Sequence, residues 1–175
     1  TENNVECNIY QRFQAGKRYT AATDTGHGIG QDDSVTAILD VVTGAVAADI
    51  KSNVIDPTEF GIASVELLNT YDAPIWAIED NDWGVQVIRI AQELKYKRLY
   101  YREPDKPGWH TFDTAAHATP GSRFVMWGDL GRAIHDRLIT IFNPEGLAQF
   151  LTVIRNPKKS GRVEGQQGSK DDYPM

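Results

Sequence analysis

The hydrophobic period changes along the first hundred residues, and this change restricts the chain to mixed α/β folds. Residues 34–42 are rich in β-branched side chains, and a Thr-Gly turn joins them to a second β-compatible run at residues 45–51. Residues 57–70 then carry apolar side chains at helical spacing. The short apolar run at 73–78 is typical of a strand covered on both faces. The pattern predicts a mixed sheet, with an antiparallel hairpin edge and parallel strands reached through flanking helices.

The remaining predicted elements complete this order. A strand at residues 19–24 precedes the hairpin, so the first three strands form an antiparallel meander. The other predicted elements are a helix at 84–94, a strand at 99–102, a helix at 123–138, an edge strand at 139–142, a helix at 144–155 and a Gly-rich loop at 156–170. Asp171 then opens a last helix.

Composition excludes several classes of protein. The chain has 175 residues, of which 41% are hydrophobic and 24% charged, and this suits a globular domain. The single cysteine, Cys7, excludes a disulfide framework and a cysteine-rich zinc site. No apolar run is long enough to span a bilayer, so we expect no membrane partner. A net charge of −6 argues against a protein that holds nucleic acid by bulk charge alone.

Acidic residues stand where predicted strands end and where a helix begins. Asp24 closes the strand at 19–24, Glu79 follows the apolar strand, and Asp171 and Asp172 open the last helix. Taken singly, Asp24 is explained by a turn, and Asp171 or Asp172 by a helix cap. Glu79 follows four largely apolar residues, so its carboxylate must be paired, bound to a cation or exposed at the end of the strand. If the first and fourth strands are neighbours, Asp24 and Glu79 meet at their carboxyl ends, where ligands gather in such sheets.

Taken together, these acids indicate a metal site. Clustered carboxylates repel one another, and a divalent cation between them removes that repulsion. Carboxylate oxygens suit Mg²⁺ or Mn²⁺. Two such ions, about 3.5–4 Å apart, support the hydrolysis of a phosphodiester. The predicted chemistry is therefore that of a metal-dependent nuclease.

Three segments carry a family resemblance. They are YTAATDTGHGIGQDDS at residues 19–34, AIEDNDWG at 77–84 and GSKDDYPM at 168–175. In this order they resemble the nuclease domain of viral DNA-packaging terminase large subunits, which belong to the ribonuclease-H-like superfamily. The resemblance implies a ribonuclease-H-like fold and an endonuclease that cuts concatemeric double-stranded viral DNA. It also implies that Asp24, Glu79 and the Asp171/Asp172 pair are catalytic and hold two Mg²⁺ or Mn²⁺ ions.

The resemblance also implies a larger protein in the cytoplasm of the infected host cell. The family carries an N-terminal ATPase motor, and no GxxxxGK[ST] phosphate loop is present in this chain. We therefore expect residues 1–175 to form a single nuclease domain, the C-terminal fragment of a terminase whose ATPase domain lies outside them. The implied partners are double-stranded DNA, the ATPase motor domain, the portal and the small terminase subunit.

Basic and aromatic residues are candidates for contact with DNA. Residues 151–170 contain five basic side chains against one acidic one, which is typical either of a solvated loop or of phosphate contacts. We expect Trp76 and Trp83 to pack in the core, whereas Trp109 lies in a predicted loop and is the better aromatic candidate. The basic candidates are Lys158, Lys159, Arg162 and Lys170.

Two other functions remain open on the sequence. The first is another ribonuclease-H-type nuclease, such as a junction resolvase or a transposase-like core. A resolvase should prefer branched DNA, whereas a packaging nuclease should cut linear or supercoiled duplex. The second is a non-enzymatic interaction domain, in which the acids only cap helices. A metal titration separates this second alternative from an enzyme, because only a true metal site stabilises the fold when Mn²⁺ is added.

Overall fold

The structure is a computed structural model that describes residues 4–30, 32–80, 82–110, 122–156 and 162–166. The chain divides into two compact units, residues 1–109 and residues 110–175. The prediction that both belong to one nuclease domain stays a prediction. Within the described ranges, no helix is long and apolar enough to cross a membrane.

Five strands form one mixed sheet in the first unit. They are β1 (Glu6–Ile9), β2 (Tyr19–Asp24), β3 (Ser34–Asp40), β4 (Val46–Ser52) and β5 (Ile75–Ile78). Their order across the sheet is β1-β4-β3-β2-β5. Strands β2, β3 and β4 form the predicted antiparallel meander, and β5 pairs with β2 in parallel. The predicted mixed sheet is therefore confirmed, and β1 is an edge strand that the sequence pattern did not predict.

Two helices connect and cover these strands. Helix α1 (Pro57–Asn69) begins where Asp56 accepts hydrogen bonds from the backbone N–H of Thr58 at 2.7 Å and of Glu59 at 3.2 Å. Helix α2 (Gly84–Glu93) follows β5 and packs against α1. Both helices contribute to the core on one face of the sheet; its fully buried side chains include Phe60, Leu68, Trp76, Ile78 and Val87.

A chain of buried hydrogen bonds joins β5, β2, β3 and α1 inside this core. Trp76 Nε1 donates to Thr23 Oγ1 at 2.8 Å. The Thr23 hydroxyl lies 2.6 Å from that of Thr36, which lies 2.9 Å from the Ser64 hydroxyl. The polar side-chain atom of each of these four residues thus has a hydrogen-bond partner, as burial requires. Because the four residues come from four elements, these hydrogen bonds hold β5, β2, β3 and α1 in their relative positions.

An ion pair between Lys17 and Asp40 lies at the end of the meander where β2 begins and β3 ends. The Asp40 carboxylate is fully buried and accepts a hydrogen bond from Lys17 Nζ at 2.7 Å. Its other oxygen accepts from the backbone N–H of Val42 at 2.9 Å, in the turn between β3 and β4. The hydrogen bond from Lys17, followed by the backbone bonds in that turn, lowers the pKa of Asp40 to about 2.

Short elements make up the rest of the described chain. In the first unit, β6 (Tyr101–Glu103) and β7 (Lys106–Pro107) form a small hairpin. The second unit contains α3 (Ser122–His135), α4 (Pro144–Phe150), β8 (Val153–Asn156) and β9 (Arg162–Gly165). Strands β8 and β9 form an antiparallel pair.

Several sequence predictions fail in the second unit. The helix predicted at 144–155 ends at Phe150, and β8 occupies the last of those residues. The predicted loop at 156–170 contains β9, which pairs with β8. Residues 139–142 do not form a strand. The pairing of β8 with β9 explains the first two errors, because hydrogen bonds between strands override weak local propensity.

The Asp40 ion pair predicts a specific sensitivity to acid. The pKa of Asp40 in the folded protein, about 2, lies below its ordinary value of 3.8. Its contribution to stability is therefore complete above about pH 4 and is lost as the pH falls towards about 2. Asp40→Asn should lower the unfolding free energy by about 1–3 kcal/mol near neutral pH, and by progressively less in that acidic window. Urea denaturation at several pH values measures this difference.

Asp72→Asn is the matched control, because the Asp72 side chain is 73% exposed and its ion pair with Arg98 is long, at 3.7 Å. This variant should stay within about 0.5 kcal/mol of the wild type at every pH. A gap between Asp40→Asn and the wild type that keeps its full size down to about pH 2 would contradict the role given to Asp40.

Candidate metal centre

The two described acids of the predicted site are neighbours at the carboxyl ends of parallel strands. Asp24 is the last residue of β2, and Glu79 directly follows β5. Thr23 and Ile78 are register partners, and the backbone N–H of Glu79 donates to the carbonyl of Thr23 at 3.0 Å. Asp24 and Glu79 therefore occupy the next pair of positions, on strands that lie about 4.8 Å apart.

Both acids lie on the face of the sheet opposite the helices. Side chains alternate along a strand, and Thr23 and Ile78 belong to the face covered by the helices. The adjacent residues Asp24 and Glu79 therefore share the other face. Asp24 is partly exposed, whereas Glu79 is only 5% exposed. A carboxylate this buried is stable only when other groups compensate its charge.

A third chain segment continues this row of side chains. Glu79 forms a parallel bridge with Trp109. The N–H of Trp109 donates to the carbonyl of Ile78, and the N–H of Asp80 donates to the carbonyl of Trp109, both at 2.8 Å. Asp24, Glu79 and Trp109 therefore lie side by side on three adjacent segments, with their side chains on one face.

Asp80, the next residue along the chain, belongs to a different interaction. Its carboxylate forms an ion pair with the Arg102 guanidinium, and the Asp80 side chain is only 15% exposed. No local sequence pattern predicts this pair, because its partners lie 22 residues apart. The ion pair anchors the residue after Glu79 to the chain segment that carries the β6–β7 hairpin.

The glycine-rich turn after Asp24 is held close to the backbone before α1. Gly28 has a φ of +72°, and a Cβ at this position would lie 2.2 Å from the carbonyl oxygen of Ile55. The N–H of Gly30 donates to the carbonyl of Asn53 at 2.6 Å. Only glycine fits at residue 28, so the turn that follows Asp24 packs closely against the backbone before α1.

An aromatic pair joins the loops that follow the two acids. The rings of His27 and Trp83 lie 5.2 Å apart between centroids, at an interplanar angle of 59°. Trp83 is 41% exposed, so the prediction that it packs in the core is wrong. The same prediction for Trp76 is confirmed, since its side chain is fully buried. Trp83 precedes α2, and this position at the helix start explains its exposure.

The other predicted site residues are covered only in part. Arg162 lies in β9, and only its backbone is described. Asp33, the last acid of the motif at residues 19–34, is buried at 3% exposure. The remaining predicted ligands and DNA contacts, Asp171, Asp172, Lys158, Lys159 and Lys170, lie outside the described residues. Within the described ranges, no group of three or more His, Cys, Asp or Glu residues is placed to hold a metal ion.

The donors that are described fit a hard divalent cation. Asp24 and Glu79 offer carboxylate oxygens from neighbouring positions, and a pair of carboxylates is the usual protein contribution to a Mg²⁺ site. The pair contains no thiolate or imidazole, which softer transition metals prefer. The two described acids therefore offer the kind of donor atom that such a cation prefers.

Large-terminase nucleases of phages are among the solved structures that this chain resembles. Against the nuclease of thermophilic phage G20c with bound magnesium, the TM-score is 0.74 at 15% identity, over 97% of this chain and 82% of that chain. The Thermus phage P74-26 large terminase nuclease domain gives a TM-score of 0.70 at 16% identity, over 97% and 80%. The G20c nuclease with bound zinc gives 0.66 at 15% identity, over 97% and 82%.

These similarities establish the architecture. The chain has the ribonuclease-H-like fold of large-terminase nuclease domains, as the sequence predicted. No family model matches the chain, and no curated protein sequence matches it. The likeness is therefore one of structure at low sequence identity.

The turn after Asp24 yields a matched pair of glycine variants. Gly28→Ala would place Cβ 2.2 Å from the Ile55 carbonyl, whereas at Gly30, with φ +83°, the same atom would meet no described atom within 4 Å. Gly30→Ala should cost about 1–2 kcal/mol, from backbone strain alone. Gly28→Ala should lower the unfolding free energy by at least about 2 kcal/mol more than Gly30→Ala, because the backbone at Ile55 or in the turn must move to admit the Cβ. Denaturation midpoints compare the two variants, and equal losses would contradict the close approach of Gly28 to Ile55.

Proposed function

We propose that this chain is a metal-dependent endonuclease, the nuclease domain of a phage terminase large subunit that cuts double-stranded concatemeric DNA during genome packaging. One observation carries this function: Asp24 and Glu79 lie in adjacent register positions at the carboxyl edge of a sheet whose fold is that of large-terminase nucleases. The fold alone does not specify an activity. The paired carboxylates at this edge supply the chemical argument.

Divalent metal use is supported by the structural neighbours. The G20c nuclease has been solved with bound magnesium, with bound cobalt and with bound zinc. We propose Mg²⁺ or Mn²⁺ for this chain, held as two ions by Asp24, Glu79 and the Asp171/Asp172 pair. When bound, such ions activate the attacking water and stabilise the leaving oxygen of the phosphodiester.

The chain's own residues create the conditions for this chemistry. Asp24 and Glu79 are held by two hydrogen-bonded strands, so their backbones need little reorganisation when cations and DNA bind. Their negative charges repel a phosphate until cations neutralise them. Burial of Glu79 lowers the local dielectric and strengthens its attraction for a cation. The arrangement therefore couples DNA binding at this edge to metal binding.

The proposed substrate and partners follow from the same assignment. Lys158, Lys159, Arg162 and Lys170 are proposed to contact DNA phosphates, which need no sequence readout. Because the net charge is −6, the domain alone should bind DNA weakly and with strong salt dependence. In the intact terminase the ATPase motor domain, the portal and the small subunit are the proposed partners, in the host cytoplasm.

Removal of the Asp24 carboxylate should abolish cleavage without unfolding the protein. Asp24→Asn keeps the size of the side chain but removes a negative charge proposed to hold the cations. Supercoiled plasmid incubated with Mg²⁺, Mn²⁺ or chelator measures nicking and linearisation. We expect metal-dependent cutting by the wild type and a loss of at least about 100-fold in Asp24→Asn, which is about 2.7 kcal/mol in activation free energy.

Asp72→Asn again serves as the control, because it removes an acid before the amino end of β5, at the opposite end of that strand from Glu79. It should cut at the wild-type rate. Cutting by Asp24→Asn at an undiminished rate would refute the metal-ligand assignment. A strong preference for four-way junctions over plain duplex would replace the packaging nuclease with a resolvase.

Metal binding should also be visible without any substrate. A ligand that binds only the folded state at about 100 times its Kd stabilises it by about 2.7 kcal/mol. For a chain of this size, that raises Tm by roughly 5–10 °C. Thermal unfolding with and without Mn²⁺ should show this rise in the wild type and little of it in Glu79→Gln. An equal rise in both proteins would place the cation elsewhere.

A further inference from the structure

The row of side chains at the carboxyl edge contains one member that is not an acid. We infer that Trp109 is a substrate-contact residue, whose indole packs against the deoxyribose and base edge of a nucleotide beside the scissile phosphate. This inference rests on the proposed nuclease function. The observation behind it is the parallel bridge between Trp109 and Glu79, which puts the indole on the same face as both acids.

The distance from Trp109 to the acids is set by strand geometry. Neighbouring strands lie about 4.8 Å apart, so Glu79 is one strand spacing from Trp109, and Asp24 is two. Successive phosphates along one DNA strand are separated by a comparable distance. A nucleotide whose phosphate lies at Asp24 and Glu79 therefore places its own sugar, or that of its neighbour, within reach of the indole.

The Trp109 backbone is held rigidly at this position. Gly108 has a φ of +79°, and a Cβ there would lie 2.6 Å from both the carbonyl oxygen of Ile78 and Cδ1 of Ile88. Glycine thus lets this segment press directly onto β5. The N–H of Gly108 donates to the carbonyl of Tyr100 at 2.7 Å, and the N–H of Tyr100 donates to the carbonyl of Trp76 at 2.8 Å.

The Asp80–Arg102 ion pair adds a further anchor to the same segment. Asp80 receives its backbone contact from Trp109 and its charge contact from Arg102. Residues on both sides of Glu79 are therefore tied to the segment that carries Trp109. A contact residue on so rigid a support loses little conformational entropy when it binds substrate.

The chemistry of an indole suits this location. Beside two carboxylates, a cationic side chain would be drawn to the acids and would compete with metal ions. An indole carries no charge, yet its face gives substantial contact energy with nucleotides through stacking. Trp109 is half-buried, so part of its side chain is open to such a contact.

Trp83 is the other candidate among the aromatic residues near the site, and its placement is less suitable. It precedes α2, and α2 packs against the face of the sheet opposite the acids. Its ring also already contacts His27. Trp83 is therefore the matched control for Trp109: a tryptophan in a neighbouring loop that should not touch the scissile nucleotide.

Steady-state cleavage of a fluorescein-labelled DNA duplex in Mn²⁺ provides the first test. Trp109→Ala should raise KM about tenfold, equivalent to about 1.4 kcal/mol, and leave kcat within about threefold. Trp109→Phe retains an aromatic face and should recover most of that loss. Trp83→Phe should match the wild type. An unchanged KM in Trp109→Ala, or a loss confined to kcat, would overturn the inference.

Intrinsic fluorescence provides a second test that does not depend on turnover. The chain has four tryptophans, and close contact with a base edge quenches the one that makes it. Unlabelled duplex added with Mg²⁺ to the wild-type protein should quench emission before cleavage proceeds. This quenching should be lost in Trp109→Phe and kept in Trp83→Phe. Quenching that survives without Trp109, or disappears without Trp83, would refute the contact.

The two tests also separate failure of this inference from failure of the proposed function. If the wild type shows no metal-dependent cleavage, the nuclease assignment fails, and titration of the wild-type protein still reports whether Trp109 meets DNA. If the wild type cuts and the Trp109 variants behave like it, only the contact is wrong. Trp109→Phe is conservative enough to keep the fold if Trp109→Ala does not.

Discussion

The parallel pairing of β2 with β5 is the constraint on which the rest of the site depends. These strands are separated by some fifty residues of sequence, and their register decides which side chains meet. A slip of one residue would exchange the two faces of a strand and turn an acid into the core. The buried hydrogen bonds from Trp76 through Thr23 and Thr36 to Ser64 oppose such a slip, because any shift would leave polar atoms without partners. Of these residues, Thr23 directly precedes Asp24, and Trp76 lies three residues before Glu79.

This arrangement explains how a small sheet edge can present charge and remain ordered. Two carboxylates side by side repel each other. Close backbone contacts on the neighbouring segments oppose a movement of the two strand ends away from each other. Gly28 fits the turn after Asp24 against Ile55, and Gly108 fits the segment carrying Trp109 against β5. Both close approaches involve backbone carbonyl oxygens, so they hold the ends of the strands that carry the two acids. The electrostatic cost of the paired acids is thus compatible with the proposed binding of cations.

Much of the first unit could be predicted from the sequence, because its elements follow strong local rules. The change from strand period to helical period located β2 through α2, and Asp56 followed by Pro57 marked the start of α1. The neighbouring placement of Asp24 and Glu79 followed from parallel strands ending in acids. Strand β1 was missed because its polar sequence owes its place to pairing with β4, and β8 and β9 were missed because each depends on the other. The Asp80–Arg102 pair and the exposure of Trp83 arise from tertiary contacts that no local pattern encodes. The acids at 171 and 172 stay predictions.

The distribution of charge along β2 and β3 has a consequence for how this domain can diverge. The Lys17–Asp40 ion pair lies beside Tyr19, the first residue of β2, and Asp24 is the last residue of that strand. The length of the strand, roughly 17–20 Å, therefore separates the ion pair from Asp24. Interactions this far apart, with no shared partners, contribute to folding nearly independently. Mutations that retune the acidic edge for another cation or another nucleic acid therefore need not erode the fold. The ion pair and the acidic edge therefore lie at opposite ends of β2, so each can change in evolution while the other is retained.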